Sequence, residues 1–204
     1  MDPFRATFIM LSLWLAALRA YYRFKGRGHI KERVREWWAM VLVILLGMPF
    51  ISGVWLYIFN PRILRTTSFL IAAGWRWFGA LVFACSLVLL TWIHVSLGKN
   101  FSSELRIRSD QQLVTWGPYA YVRHPMYSVI FLTITGMALL SANWMIGASG
   151  LAVIALVVSL RIAREEQMMT RAFGDRYRQY AGITPRFVPR FCVRSRKSGE
   201  MSAS

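Results

Sequence analysis

The chain has 204 residues, 56% of them hydrophobic, a formal net charge of +16 and a mean hydropathy of +0.40. Its apolar residues come in long runs, which excludes an ordinary soluble domain and places the chain in the membrane class. Charge is costly in hydrocarbon, so most of the 25 Lys and Arg belong in loops and tails, and in a polytopic chain such an excess points to loops facing anionic lipid rather than to nucleic acid.

The first apolar run predicts a span over about Ala6–Tyr22, with Arg19 near its end where the side chain can snorkel to the interface. It has no basic leader beyond Arg5 and no small-residue cleavage site, so it reads as a retained helix. A basic stretch follows over Arg23–Glu36. Span two is expected at Trp37–Phe59 and ends at Asn60-Pro61, because proline cannot continue the helical hydrogen bonding. Span three is expected over Ser68–Leu97, long enough to tilt or to project, with Arg76 between Trp75 and Trp77 marking its outer interface.

Lys99–Met126 is polar. Span four is expected at Tyr127–Leu140, a tight turn at Ser141-Ala142-Asn143, and span five from Trp144 to about Ile162. The expected fold is all-α and polytopic, with about five transmembrane helices. Residues 1–67 hold the first two helices, residues 68–192 a core, and residues 193–204 a basic, disordered tail. Cys85 lies in an apolar run and Cys192 in the basic tail; no disulfide and no metal spacing is expected.

The Arg23–Glu36 loop, the Lys99–Met126 loop and the C-terminal segment all fall on one side. The positive-inside rule makes that side cytoplasmic, with the N-terminus outside.

Two clusters on that face could carry chemistry. In Leu113–Tyr127, LVTWGPYAYVRHPMY, Gly117-Pro118 turns the backbone and Pro125 holds His124 out of the helical region. His124 and Tyr127 then sit at a helix N-terminus, where exposed amides favour an anionic group. An interfacial aromatic belt with Arg123 on lipid phosphate would look the same. The second cluster is Arg161–Glu166. Arg161 and Glu165 share a helix face at a spacing of four, while Glu166 points elsewhere, toward the first cluster. Ordinary juxtamembrane charge is the competing reading. Phe173–Tyr180 continues with tyrosines three apart, a pattern also fitting an amphipathic helix lying on the membrane.

Together the clusters resemble the isoprenylcysteine carboxyl methyltransferase family and its phospholipid methyltransferase relatives. Gly117-Pro118-Tyr119, Val122–Pro125 with Tyr127, Glu165-Glu166, Phe173-Gly174, Tyr177, Tyr180 and Arg186-Phe187-Val188-Pro189 stand where that family has GPYxxVRHPxY, EExxL, FGxxYxxY and R-F-x-P. The resemblance covers about Trp92–Pro189; Met169 replaces a usual Leu and Val129 a frequent Gly.

It implies an integral membrane methyltransferase using S-adenosyl-L-methionine, with the cofactor entering from the cytosol and a lipophilic acceptor from the bilayer. The cofactor pocket would be built by the loop before helix four and the C-terminal segment, using Gln111, Gln112, Leu113, Val114, Tyr119, His124, Pro125, Met126 and Tyr127, with Glu165 or Glu166 on the amino group or ribose. Arg161 would receive an acceptor carboxylate, and Arg123 completes the catalytic set with the glutamates. Carboxyl O-methylation of an isoprenoid-type or other hydrophobic carboxylate leads. Phospholipid or amine N-methylation, a sterol-reductase-like NADPH enzyme and a non-catalytic membrane protein are the alternatives. The compact size suggests a prokaryotic plasma membrane.

Overall fold

The computed structural model describes residues 2–25, 37–98 and 113–189, and these are helical apart from short connections. The helices are α1 (Pro3–Lys25), α2 (Trp37–Phe59), α3 (Ala73–Leu97), α4 (Pro125–Ser141), α5 (Trp144–Phe173) and α6 (Asp175–Ile183), with 3-10 turns at Pro61–Thr67 and Gly117–Ala120.

Four helices, α1, α2, α3 and α5, contain apolar stretches long enough to cross a membrane. The fourth expected span, α4, has 17 residues, or about 25 Å of rise, somewhat less than a full hydrocarbon core. Large side chains such as Leu45, Ile51, Leu81 and Val88 are more than half exposed, as lipid-facing positions require. The chain is an integral membrane protein.

Two boundaries differ from the sequence reading by five residues or more. Span three begins at Ala73 rather than Ser68 because residues 68–72 are extended, with Ser68 bridged to Asn143 and Phe69 N–H donating to Ala142 O at 3.0 Å. Span five does not stop near Ile162: α5 runs on to Phe173, so Glu165 and Glu166 stand on the same continuous rod as the apolar span. On α6, Tyr177 and Tyr180 are 4% and 8% exposed, so the tyrosine face of this helix packs against the protein. The expectations for Cys192, the terminal tail and the Arg23–Glu36 loop, and the stretch from Lys99 to Gln112, fall outside the described residues, apart from the helix ends.

α3 and α4 cross with their backbones in close approach at two glycines. A Cβ added to Gly136 would lie 2.7 Å from Phe83 N, and one added to Gly79 would lie 2.6 Å from Leu140 N. The missing side chains let the two backbones touch. Ser86 and Thr133 then meet across the buried crossing at 2.9 Å, one hydroxyl donating to the other, with the carbonyls of Phe83 and Val129 also within hydrogen-bond distance.

The opposite end of the molecule from Glu165 is tied by polar anchors. Arg76 Nε donates to Leu140 O at 3.1 Å, Nη2 donates to Tyr57 Oη at 3.1 Å, and its guanidinium carbon lies 3.8 Å from the Phe4 ring centroid. Arg5 Nε donates to Ile58 O at 3.0 Å, capping the end of α2. Asn143, fully buried, caps α5 through Ile146 N–H and donates to Thr67 Oγ1 at 2.7 Å. The reversal between α4 and α5 needs Ala142 in the left-handed region, at φ 51°. These anchors set the register that brings the other ends of α4 and α5 together.

Candidate active site

The loop before α4 is shaped first by Gly117. Its φ of +63° is one that residues with a Cβ seldom adopt, and a Cβ there would lie 2.5 Å from Ser96 Oγ. The turn presses the loop onto the end of α3 and leads through Pro118 to Arg123 and His124. His124, the residue before Pro125, is held out of the helical region at φ −123° and ψ 58°, and Pro125 opens α4.

A second chain segment then pairs with this loop. Arg123 N–H donates to Pro185 O at 2.8 Å, and His124 N–H to Arg186 O at 3.0 Å. Ser128 Oγ donates to Phe187 O at 2.7 Å. Residues 185–189 therefore form a strap laid across the N-terminus of α4. From α6, Tyr180 Oη donates to Tyr119 O at 2.6 Å. Burial pushes the Tyr180 hydroxyl up to about 12, so it keeps its proton and stays a donor.

The extension of α5 brings both glutamates to this assembly. Glu165 Oε1 accepts from Tyr127 Oη at 2.7 Å and lies 3.8 Å from Arg161 Nε, while its Oε2 is 3.6 Å from His124 Nδ1. Glu166 accepts from Arg186 through Nε at 3.1 Å and Nη2 at 2.7 Å, a bidentate pair, and from Arg123 Nη1 at 2.9 Å. His124 Nε2 lies 3.4 Å from Glu166 Oε1. Burial lowers the His124 pKa below its ordinary value, against the opposing pull of Glu165 and Glu166, so the ring is neutral at neutral pH.

Beside the charged cluster lies an apolar cavity of about 700 Å³ between α3, α4, α5 and the strap. Leu89 and Trp92 wall it on one side, Phe131 and Leu132 on another, and Leu151 and Val158 on α5. Tyr127 and Phe187 line its polar end. Tyr127 thus belongs to both regions.

The sequence-derived candidates separate accordingly. Arg123, His124, Tyr127, Arg161, Glu165 and Glu166 come together, with Pro125 in the cavity wall. Tyr119 and Met126 pack against Leu90, Ile93 and Val129 and do not line the cavity. Leu113 and Val114 are also away from the cavity wall, with Val114 buried. Gln111 and Gln112 lie outside the described residues. Both glutamates reach the first cluster, whereas the helical spacing had directed only Glu166 there.

Arg186, Phe187 and Ser128 were not among the candidates. The R-F-x-P ending was visible in the sequence, but its pairing with the α4 entry is a long-range contact that spacing does not encode.

Comparison with known proteins agrees with this architecture. A family model described as phospholipid methyltransferase matches residues 75–176. Over 191 residues the chain is 30% identical to protein-S-isoprenylcysteine O-methyltransferase of Schizosaccharomyces pombe, covering 91% of this chain and 80% of that protein. The chain belongs to this methyltransferase family.

Two further relatives mark its breadth. Protein-S-isoprenylcysteine O-methyltransferase B of Arabidopsis thaliana is 30% identical over 97 residues, 47% of this chain and 49% of that protein. The nickel-cobalt-cadmium resistance protein NccN of Alcaligenes xylosoxydans xylosoxydans is 34% identical over 86 residues, 42% of this chain and 40% of that protein. Among solved structures, the eukaryotic intramembrane Ras methyltransferase ICMT matches with a TM-score of 0.52 and 24% identity, covering 78% of this chain and 54% of that chain. The fold is therefore shared with ICMT, although this methyltransferase spans only about half of that chain and less than half of the plant and bacterial proteins.

Proposed function

We propose that this membrane methyltransferase transfers a methyl group from S-adenosyl-L-methionine to a hydrophobic carboxylate, with an isoprenoid-type acceptor as the leading class. One observation carries the reading. A 700 Å³ apolar cavity ends on Tyr127, whose hydroxyl is bonded to Glu165 in a cluster of carboxylates and guanidiniums. A long apolar group and a charged, water-soluble donor could thus meet at one residue.

The residues present fit the donor. Two carboxylates stand close enough to serve one ammonium or ribose, and Arg123 Nε is buried without a partner among the described residues. When bound, S-adenosyl-L-methionine supplies a methyl group on a cationic sulfur, transferred in line to the acceptor oxygen.

The chain's own share is orientation and water exclusion. Glu165 and Glu166 hold the donor's cationic or hydroxyl groups. Tyr127 fixes Glu165 and offers its ring to positive charge. Arg161, already beside Glu165 and 40% exposed, is placed to pair with an acceptor carboxylate through its fork. A carboxylate needs no proton removed, so no base is required. The cofactor side faces the cytoplasm, where the positive-inside rule places this end of the chain.

A second reading rests on His124. Burial keeps its ring neutral next to both glutamates, which suits removal of a proton from an amine acceptor and hence phospholipid N-methylation. The deciding experiment supplies methyl-labelled S-adenosyl-L-methionine to the purified protein with an S-prenylated cysteine, phosphatidylethanolamine or lipid extract, and identifies the product by mass spectrometry. A labelled methyl ester supports the main reading, and a labelled N-methyl amine replaces it with the second. If calorimetry shows no S-adenosyl-L-methionine binding but does show NADPH binding, both are wrong.

A further inference from the structure

A smaller pocket, of about 290 Å³, lies among Arg123, Ala181, Gly182, Thr184, Pro185 and Arg186, at the junction of α6 and the strap. It shares no wall with the apolar cavity. Three observations bear on what it could hold.

The first is charge. Arg123 and Arg186 both pair with Glu166, and Arg123 also meets the uncharged Tyr177 hydroxyl, so two guanidiniums face one carboxylate and one positive charge is left over. His124, the neighbouring titratable group on the loop side, is neutral, and Glu165 is already engaged by Tyr127 and Arg161. The second is an orphan donor. Arg123 Nε is buried and has no hydrogen-bond partner among the described residues, although Nη1 of the same group is bonded to Glu166. Leaving such a donor unmet in a dry site costs about 1–3 kcal/mol, so an acceptor there would be favoured. The third is access. The Arg186 side chain is 54% exposed while that of Arg123 is 13% exposed, so the pocket has a buried floor and an open rim.

We propose that this pocket is a subsite for a single oxyanion group, and that the group is the carboxylate at the amino-acid end of the methyl donor. The assignment rests on the function proposed above. An amino acid is a zwitterion: its ammonium needs an anion and its carboxylate a cation, a bond or two apart. Glu166 with Arg123 and Arg186 on either side presents that alternation. The strap then has a second task besides closing the apolar cavity, because Arg186 ties recognition of the donor to the order of residues 185–189.

The test compares two ligands on the full-length protein in detergent by calorimetry: S-adenosyl-L-methionine and its decarboxylated analogue, which keeps the sulfonium and the amine. In the wild type the analogue should bind at least about tenfold more weakly, as loss of a charge-assisted interaction requires. In Arg186→Gln and in Thr184→Val that discrimination should shrink, chiefly through weaker binding of S-adenosyl-L-methionine, while the analogue's affinity stays near its wild-type value. Equal binding of the two ligands by the wild type overturns the subsite and leaves the proposed function standing. Discrimination that persists undiminished in both variants moves the carboxylate elsewhere and also overturns it. Failure of the wild type to bind either ligand removes both the subsite and the function on which it rests. The wild-type comparison needs no substitution, so a variant that fails to fold does not rescue the idea.

Discussion

The Tyr127 hydroxyl donates to Glu165 Oε1 across 2.7 Å, joining the first turns of α4 to the extension of α5 where the apolar cavity meets the charged cluster. Tyr127→Phe keeps the ring in the cavity wall and removes only the donor. Turnover, as kcat/KM, should fall about ten- to a hundredfold, the effect of losing one charge-assisted hydrogen bond. Unchanged kinetics with the true acceptor would mean that the bond is structural ornament.

Ala155 lines the apolar cavity from α5, and its small side chain leaves much of the space open. Ala155→Phe should fill part of it. Turnover on a long-chain acceptor should drop about tenfold or more while S-adenosyl-L-methionine binding is retained, because the charged cluster does not share that wall. Parallel measurement of donor affinity and of turnover on short and long acceptors checks this.

Glu165 and Glu166 should behave differently. Glu166→Gln leaves Arg123 and Arg186 without their counter-charge in a partly buried site, so the strap should loosen and stability fall by roughly 1–3 kcal/mol. Glu165→Gln should spare stability more and depress turnover, since Glu165 contacts Tyr127 and Arg161. Thermal unfolding and single-turnover rates of the two variants separate these outcomes.

His124 carries a pH dependence with a definite sign. Burial lowers its pKa in the folded protein, so on acidification the unfolded chain takes up the proton first. Stability from this group should therefore fall as pH drops from the ordinary histidine value, about 6.5, toward the lowered one. His29 and His94 remain in both proteins, so the difference between wild type and His124→Gln isolates the effect. Melting curves from pH 5 to 8 should show a shallower slope for the variant.

Gly136 lies where the backbones of α3 and α4 touch. Gly136→Ala puts a methyl group against Phe83 N and Gly79 O, both main-chain atoms that cannot turn aside. A loss of about 1–3 kcal/mol is expected, visible as faster thermal inactivation in detergent. The same substitution at Gly47, where an added Cβ meets nothing within 4 Å, should be harmless and serves as the control.

Much of the architecture was already legible in residue order. Long apolar runs, Asn60-Pro61, His124-Pro125 and Ser141-Ala142-Asn143 place helices and turns because each acts on its own backbone or on transfer to lipid, which are local effects. The motif residues Arg123, His124, Tyr127, Glu165 and Glu166 stood out through the family resemblance, because each cluster taken alone reads equally as an interfacial belt or as juxtamembrane charge. Packing decided the rest. The Gly79–Gly136 approach and the Asn143 and Arg76 anchors set the register of α3, α4 and α5, and register determines which side chains meet. Only then does Glu166 find Arg186 from a strap beyond α6, Tyr119 turn into the apolar core, and α5 carry both carboxylates past the end of its apolar span. A sequence specifies such contacts through the summed geometry of distant residues, so they appear only when the chain is folded.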